Sequence, residues 1–260
     1  MDKNELIARV AREPEDRLLL ARVLDKYQQT ERKCVPASTG FLSPREQQLA
    51  VALLNSAGVR EGYVLDGGYG EAERKIITFL PDWCTEPEGE LAFLRASFHG
   101  SDSATHRDLL GSLMGLGITR ERVGDILVSP HAADVVVAPS LTGFLLGEWT
   151  SAGRVRLTVA EIAREELVKP EEKVTQVSDT VSSLRLDAVV AAAFAMSRGK
   201  AAELITGGRV SLDHLPCEKT DKSVGEGSII TARGFGRAVV RECSRLSKKG
   251  RIILVMDRYG

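Results

Sequence analysis

Between residues 88 and 165 the spacing of apolar residues changes period repeatedly, and the order of those changes restricts the fold more than any other feature of the chain. "LAFLRASF" (91–98) alternates as a strand does. "THRDLLGSLMGLG" (105–117) has helical spacing, with Thr105 and Asp108 as a capping box and Gly117 as the stop. "GDILVS" (124–129) and "ADVVVA" (133–138) are short β-branched runs, "PSLTGFLLGEW" (139–149) is again helical, and "RVRLTVAEI" (154–162) alternates.

This β-α-β-β-α-β order predicts a ferredoxin-like, or RRM-like, domain over residues 81–165. The third strand, "ADVVVA", has no aromatic residue, so the RNP1 pattern by which an RNA-reading RRM stacks bases is absent. "HRDL" at 106–109 matches a kinase catalytic loop only in those four letters. The expected asparagine is Leu113, and no Gly-rich loop or DFG accompanies it.

Upstream, residues 1–80 read as an α+β subdomain of helices followed by a hairpin. Leu19, Leu20, Val23 and Leu24 form a helical stripe. Ser43, Pro44 and Glu46 supply an N-cap, a first-turn proline and a capping box for a second helix, which Gly58 ends. Two strands follow around the Gly-rich stretch "GGYGEAER", which is a wide turn and not a phosphate loop, because no GK[ST] follows. The charged N-terminus has no apolar h-region, so no secretory signal is expected, and no run of 18 apolar residues suggests a membrane span. Cys34, Cys84, Cys217 and Cys243 are scattered with no CxxC pair, which excludes the usual zinc and disulfide patterns and suits a reducing cytoplasm. Neither metal, cofactor nor small-molecule substrate is expected.

A polar stretch with Pro170, residues 166–182, reads as a linker leading into an extended segment. Beyond it the charge changes sign. Residues 180–260 hold 14 Lys and Arg against 8 Asp and Glu, whereas residues 1–179 hold 21 against 28. A polyanion should therefore bind the last third. There, Leu186, Val189, Val190, Ala193 and Phe194 form the buried face of one helix. A second begins at Ser197 as N-cap, buries Ala201, Leu204 and Ile205, and stops at Gly207 or Gly208. Its first turn carries Arg198 and Lys200, at the helix end where cations are least favoured. With the free N–H groups of that end, two cations make a candidate phosphate site. Arg185, Arg209, Arg233 and Arg237 lie at other element ends. In "RGFGR" (233–237) Phe235 sits between glycines, either to stack on an unpaired base or as a core residue at a strand bend.

Arg185-x-Asp187, Ser197-Arg198, Lys200, Ile205, Gly208-x-Val210 and Asp213 resemble the S4 RNA-binding domain, which places an S4-like module with a C-terminal hairpin at 183–260. The family's Val-x-Val-Asn is Val210-Ser211-Leu212-Asp213 here, and its following Trp is His214. Over nearly the whole chain, "FLSPREQ", "GGYGEAER", "THRDLLGSLMGLGITRERVGDI" and "RGFGR" resemble the YlmH family. That resemblance implies a cytoplasmic, non-catalytic protein that binds the large ribosomal subunit carrying obstructed peptidyl-tRNA, in ribosome-associated quality control. The expected RNA-binding residues are Arg185, Ser197, Arg198, Lys200, Gly208, Arg209, Arg233, Phe235 and Arg237. Two other readings fit a chain of this kind. One is an RNA-modifying enzyme targeted by the S4-like module, for which Asp108 and Asp125 are the available acids, although they read as a helix cap and a turn residue. The other is a cell-division-linked adaptor.

Overall fold

A computed structural model of the chain describes residues 3–11, 13–100, 102–170 and 174–259. The chain is α+β and divides into two compact units, Met1–Pro170 and Glu171–Gly260.

The first unit opens with helices α1 (Lys3–Val10), α2 (Pro14–Lys33) and α3 (Pro44–Ser56), with strand β1 (Ala37–Ser38) between the last two. The start of α3 follows from its sequence. Ser43 Oγ accepts the Glu46 N–H, and the Ser43 N–H donates to Glu46 Oε2 at 2.6 Å. Strands β2 (Tyr63–Asp66) and β3 (Ile76–Phe79) form the expected hairpin, and β1 adds to the far edge of β3. Leu20, Val23, Leu53, Leu54, Ile77 and Phe79 close the core beneath the three helices.

The same unit continues through β4 (Ala92–Phe98), α4 (His106–Gly115), β5 (Val123–Val128), β6 (Ala132–Val137), α5 (Thr142–Glu148), β7 (Ser151–Ala152) and β8 (Val155–Ile162). The sheet order β5-β6-β4-β8-β7, antiparallel throughout, is the RRM-like arrangement extended by one two-residue strand. Alternation along β4 and β6 sends Leu94, Ala96, Val135 and Val137 onto α4 and α5, where Leu109, Leu113 and Leu145 are fully buried.

The opposite sheet face, which an RNA-reading RRM leaves open, is covered by the protein's own chain. Phe93 and Val136 pack there against Phe41 and Ile76 from the preceding region. Gly124 permits this approach, since a Cβ there would lie 2.7 Å from the Phe41 ring. Beside them Arg95 makes a bidentate pair with the buried Asp134, at 2.7 and 2.8 Å. The Val168 N–H donates to the same carboxylate, and Arg95 Nη2 donates to the Glu166 carbonyl, so residues 166–168 lie across the sheet. The boundary expected near residue 80 is thus no break in packing. The 1–80 and 81–165 segments keep separate main cores and meet in a small shared cluster, to which Phe93 and Val136 supply an apolar patch on the sheet's second face.

The second unit contains β9 (Val174–Val181), α6 (Leu186–Ala193), α7 (Arg198–Thr206), β10 (Val210–Leu212), β11 (Leu215–Pro216), β12 (Ile229–Ala232), β13 (Gly236–Glu242) and β14 (Ile252–Tyr259). Residues 174–181, expected within the 166–182 linker, instead form β9 and pair along their full length with β14. Residues 171–173 of the expected linker lie outside the described residues. The sheet order is β11-β10-β12-β13-β14-β9, with α6 and α7 packed on one face over Val210, Ile230, Ala238, Val240, Leu254 and Met256. Leu212 pairs with Leu215, so Asp213 and His214 form a two-residue turn, and both have positive φ, 49° and 66°. Asp213 also accepts the Ile229 N–H at 2.8 Å and so ties this turn to β12. An acid therefore serves where the family has Asn, because the side-chain oxygen meets a main-chain donor.

A candidate nucleic-acid interface

Four short segments of the second unit bring all but one of the predicted site residues together: the starts of α6 and α7, the end of α7, and the β12–β13 turn. The two helix starts are joined by Asp187, a buried residue in the first turn of α6. Arg185, the N-cap of α6, donates to its two oxygens at 3.3 and 3.2 Å, and Arg198 Nη2 donates to them at 3.0 and 3.2 Å. Burial pushes the Asp187 carboxyl up, but hydrogen bonds from Arg185 and Arg198 outweigh it and hold the group below the usual carboxylate range. Asp187 in turn raises Arg185 through its hydrogen bond. The two guanidiniums are thus oriented by one carboxylate, and about half of each remains in water, with side-chain exposures of 42% and 51%.

Ser197 caps α7 as expected, its Oγ accepting the Lys200 N–H at 3.2 Å. Lys200 itself reaches across to place Nζ 5.3 Å from the centre of the Phe235 ring. Phe235 belongs to a three-residue loop, Arg233-Gly234-Phe235, between the paired Ala232 and Gly236. Gly234 takes φ +87°, which a residue with a side chain adopts only with strain. The Phe235 ring is half-buried, lies 6.3 Å from Phe194 and packs on the core. The ring thus contacts both the core and the Lys200 ammonium.

At the other end of α7, Gly208 adopts φ +64° and turns the chain toward β10. Arg209 follows, exposed, and its carbonyl accepts the Arg233 N–H at 2.9 Å while its Nη2 donates to the Arg233 carbonyl at 3.3 Å. The arginines of α7's end and of the β12–β13 loop are therefore neighbours. Arg237 stands apart. It alternates with the inward-facing Ala238 and pairs across strands with Tyr259, stacking 4.5 Å from that ring on the sheet face away from the helices. Arg241 shares this far face, held by Asp257 at 2.6 Å and the Tyr259 hydroxyl at 3.1 Å.

The chemistry of the helix-side cluster is that of a phosphate surface. Arg185, Arg198, Lys200, Arg209 and Arg233 present solvent-accessible cations on fixed backbone, with the Asp187 carboxylate behind Arg185 and Arg198. The acids considered for catalysis are committed elsewhere. Asp108 Oδ2 accepts the Thr105 N–H and hydroxyl, and that hydrogen bonding lowers its pKa. Asp125 is not a turn residue. It lies in β5, where the strand register shifts, and accepts from the Tyr69 hydroxyl and the Glu73 and Arg74 N–H groups. Among the described residues, no three His, Cys, Asp or Glu side chains are placed to hold a metal, and no helix is long and apolar enough to cross a membrane.

Residues 101–166 match the family model described as "Putative RNA-binding domain in YlmH", and residues 184–230 match the S4 domain. The chain is 34% identical, over 223 residues, to ribosome-associated protein quality control protein P2 of Bacillus subtilis, covering 85% of this chain and 86% of that one. A solved structure, cell division protein ylmH from Streptococcus pneumoniae, superposes with a TM-score of 0.52 at 19% identity, over 61% of this chain and 98% of the other. At that identity the likeness speaks for the fold alone.

Proposed function

This chain belongs to the YlmH family of S4-domain proteins, and from that premise we propose that it binds the large ribosomal subunit through rRNA and peptidyl-tRNA, in the cytoplasm, as a non-catalytic factor of ribosome-associated quality control. The observation that carries this reading is the cluster around Asp187. One buried carboxylate orients Arg185 and Arg198, while Lys200, Arg209 and Arg233 extend the cationic surface along α7 to the β12–β13 loop. Structured RNA presents closely spaced phosphates, and preset guanidiniums bind them with little loss of side-chain freedom. The commitment of Asp108 and Asp125 to main-chain groups favours binding over RNA modification. The name of the B. subtilis relative supports the ribosome as the partner.

Co-sedimentation with purified large subunits bearing peptidyl-tRNA tests the proposal. The native protein should pellet with them, and the double variant Lys200→Ala, Arg233→Ala should remain in the supernatant at moderate salt. Equal pelleting of the two would refute the assignment.

A further inference from the structure

The first unit contains a cleft of about 710 Å³ between α2, the residues before α3, and the turn that leads into β5. That size lies within the roughly 300–1,000 Å³ typical of small-ligand sites. Its lining carries five cations, Arg22, Lys26, Arg74, Arg120 and Arg122, against two carboxylates, Glu46 and Glu121. Both carboxylates are engaged: Glu46 accepts the Ser43 N–H, and Glu121 pairs with Arg22 at 3.0 Å.

Arg74 and Arg120 give the cleft its character. Arg74 donates from Nε to the Val123 carbonyl and from Nη2 to the carbonyls of Phe41 and Arg120. Arg120 donates from Nη1 to the carbonyls of Val123 and Gly124, at 2.6 and 2.9 Å. Carbonyl oxygens fix the two guanidiniums in place without neutralising them, and each keeps further N–H groups beyond those bonds. Glu46 acts electrostatically on Arg74, and Asp125, which already accepts three hydrogen bonds, acts on both arginines. Burial, and next the neighbouring Arg74 charge, bring Arg120 down to about 10. Leu19, Val23, Phe41 and Leu42 provide apolar wall beside the cations.

We propose that this cleft binds a nucleotide, with its phosphate at Arg74, Arg120, Lys26 and Arg122 and its base against the apolar wall. The nucleotide is either free or one unit of a single-stranded RNA. No residue of the S4-like module lines the site, and it needs no open face on the RRM-like sheet, which the chain itself covers.

Calorimetric titration of the full chain with 5′-AMP, adenosine, inorganic phosphate and a 5′-phosphorylated oligoadenylate hexamer tests it. AMP should bind saturably, and adenosine at least tenfold more weakly. Lys26→Glu combined with Arg122→Glu should weaken AMP at least tenfold, whereas Lys200→Ala with Arg233→Ala should leave it unchanged. A hexamer at least tenfold tighter than AMP identifies an RNA strand as the source, and equal affinities identify a free nucleotide. The proposal is overturned if neither AMP nor hexamer saturates at millimolar concentration, if adenosine equals AMP, or if the Lys26, Arg122 variant binds as the native protein does. Circular dichroism confirms that this variant is folded. Because subunit co-sedimentation depends on Lys200 and Arg233, failure here is distinguishable from failure of the ribosomal reading.

Discussion

Arg198, the first residue of α7, donates from Nη2 to both oxygens of Asp187 in the first turn of α6, at 3.0 and 3.2 Å. The cation that a helix start disfavours is thus balanced by an acid from the neighbouring helix. The dipole penalty of a few tenths of a kcal/mol is offset, and the guanidinium is aimed in the same step. Lys200, two residues on, has no such anchor and rests over an aromatic ring.

The two cations should therefore separate in experiment. Arg198→Ala should lower both stability and RNA affinity, the former by about 1 kcal/mol because half of the arginine is in water. Lys200→Ala should lower RNA affinity and leave stability within about 0.5 kcal/mol. Urea denaturation and filter binding on the same preparations check both, and equal destabilisation by the two changes would show that Asp187 does not distinguish them.

Asp187 makes the second unit acid-sensitive in a defined direction. Burial raises its pKa, but the hydrogen bonds from Arg185 and Arg198 bring it net below the unfolded value of about 3.9. Its contribution to stability is then complete above about pH 4 and is lost as pH falls through the lower, folded-state value. Asp187→Asn should be less stable than the native protein at pH 7, and the difference should shrink steadily below pH 4. Urea melts at pH 7, 5 and 3 measure this, and a difference constant with pH would rule out the ion pairs as its source.

Phe235 distinguishes stacking from positioning by magnitude. A base stacked on an aromatic side chain is worth about 1–3 kcal/mol, whereas an exposed cation–π contact is worth about 0.5–1. With the ring half-buried beside Phe194 and under Lys200, Phe235→Leu should weaken RNA binding about threefold. A loss of thirtyfold or more with the fold intact would make Phe235 a stacking platform.

Much of this architecture is legible in the sequence because it rests on local signals. The capping boxes at Ser43 and Thr105 start helices where they are read, and the 2.0 and 3.6 periods place every long strand and helix of the RRM-like segment. Two-residue strands such as Ala37–Ser38 and Ser151–Ala152 are too short to show a period. Of the candidate site, the helix-side cations are legible, since Ser197 and Gly208 fix the ends that carry them. Arg237 is not separable from its neighbours until strand parity is known, because one residue's shift moves it to the other sheet face. The roles of Asp187, Arg74 and Arg120 depend on partners distant in sequence. Asp187 had one local sign, the Arg-x-Asp spacing at a helix start, while Arg74 and Arg120 meet only because Phe41 and β5 are brought together.

The sharing of Phe41, Ile76, Phe93 and Val136 between the loop before α3, β3 and the RRM-like sheet bears on how this gene can be cut and recombined. An RRM-like segment is ordinarily a portable cassette, expressible alone and transplantable between proteins. Here, excision at residue 80 would bare Phe93 and Val136, and a stop before Val168 would leave Asp134 without one of its donors. A fragment that keeps these contacts must run at least from Phe41 through Val168, well beyond the bounds of the RRM-like segment itself.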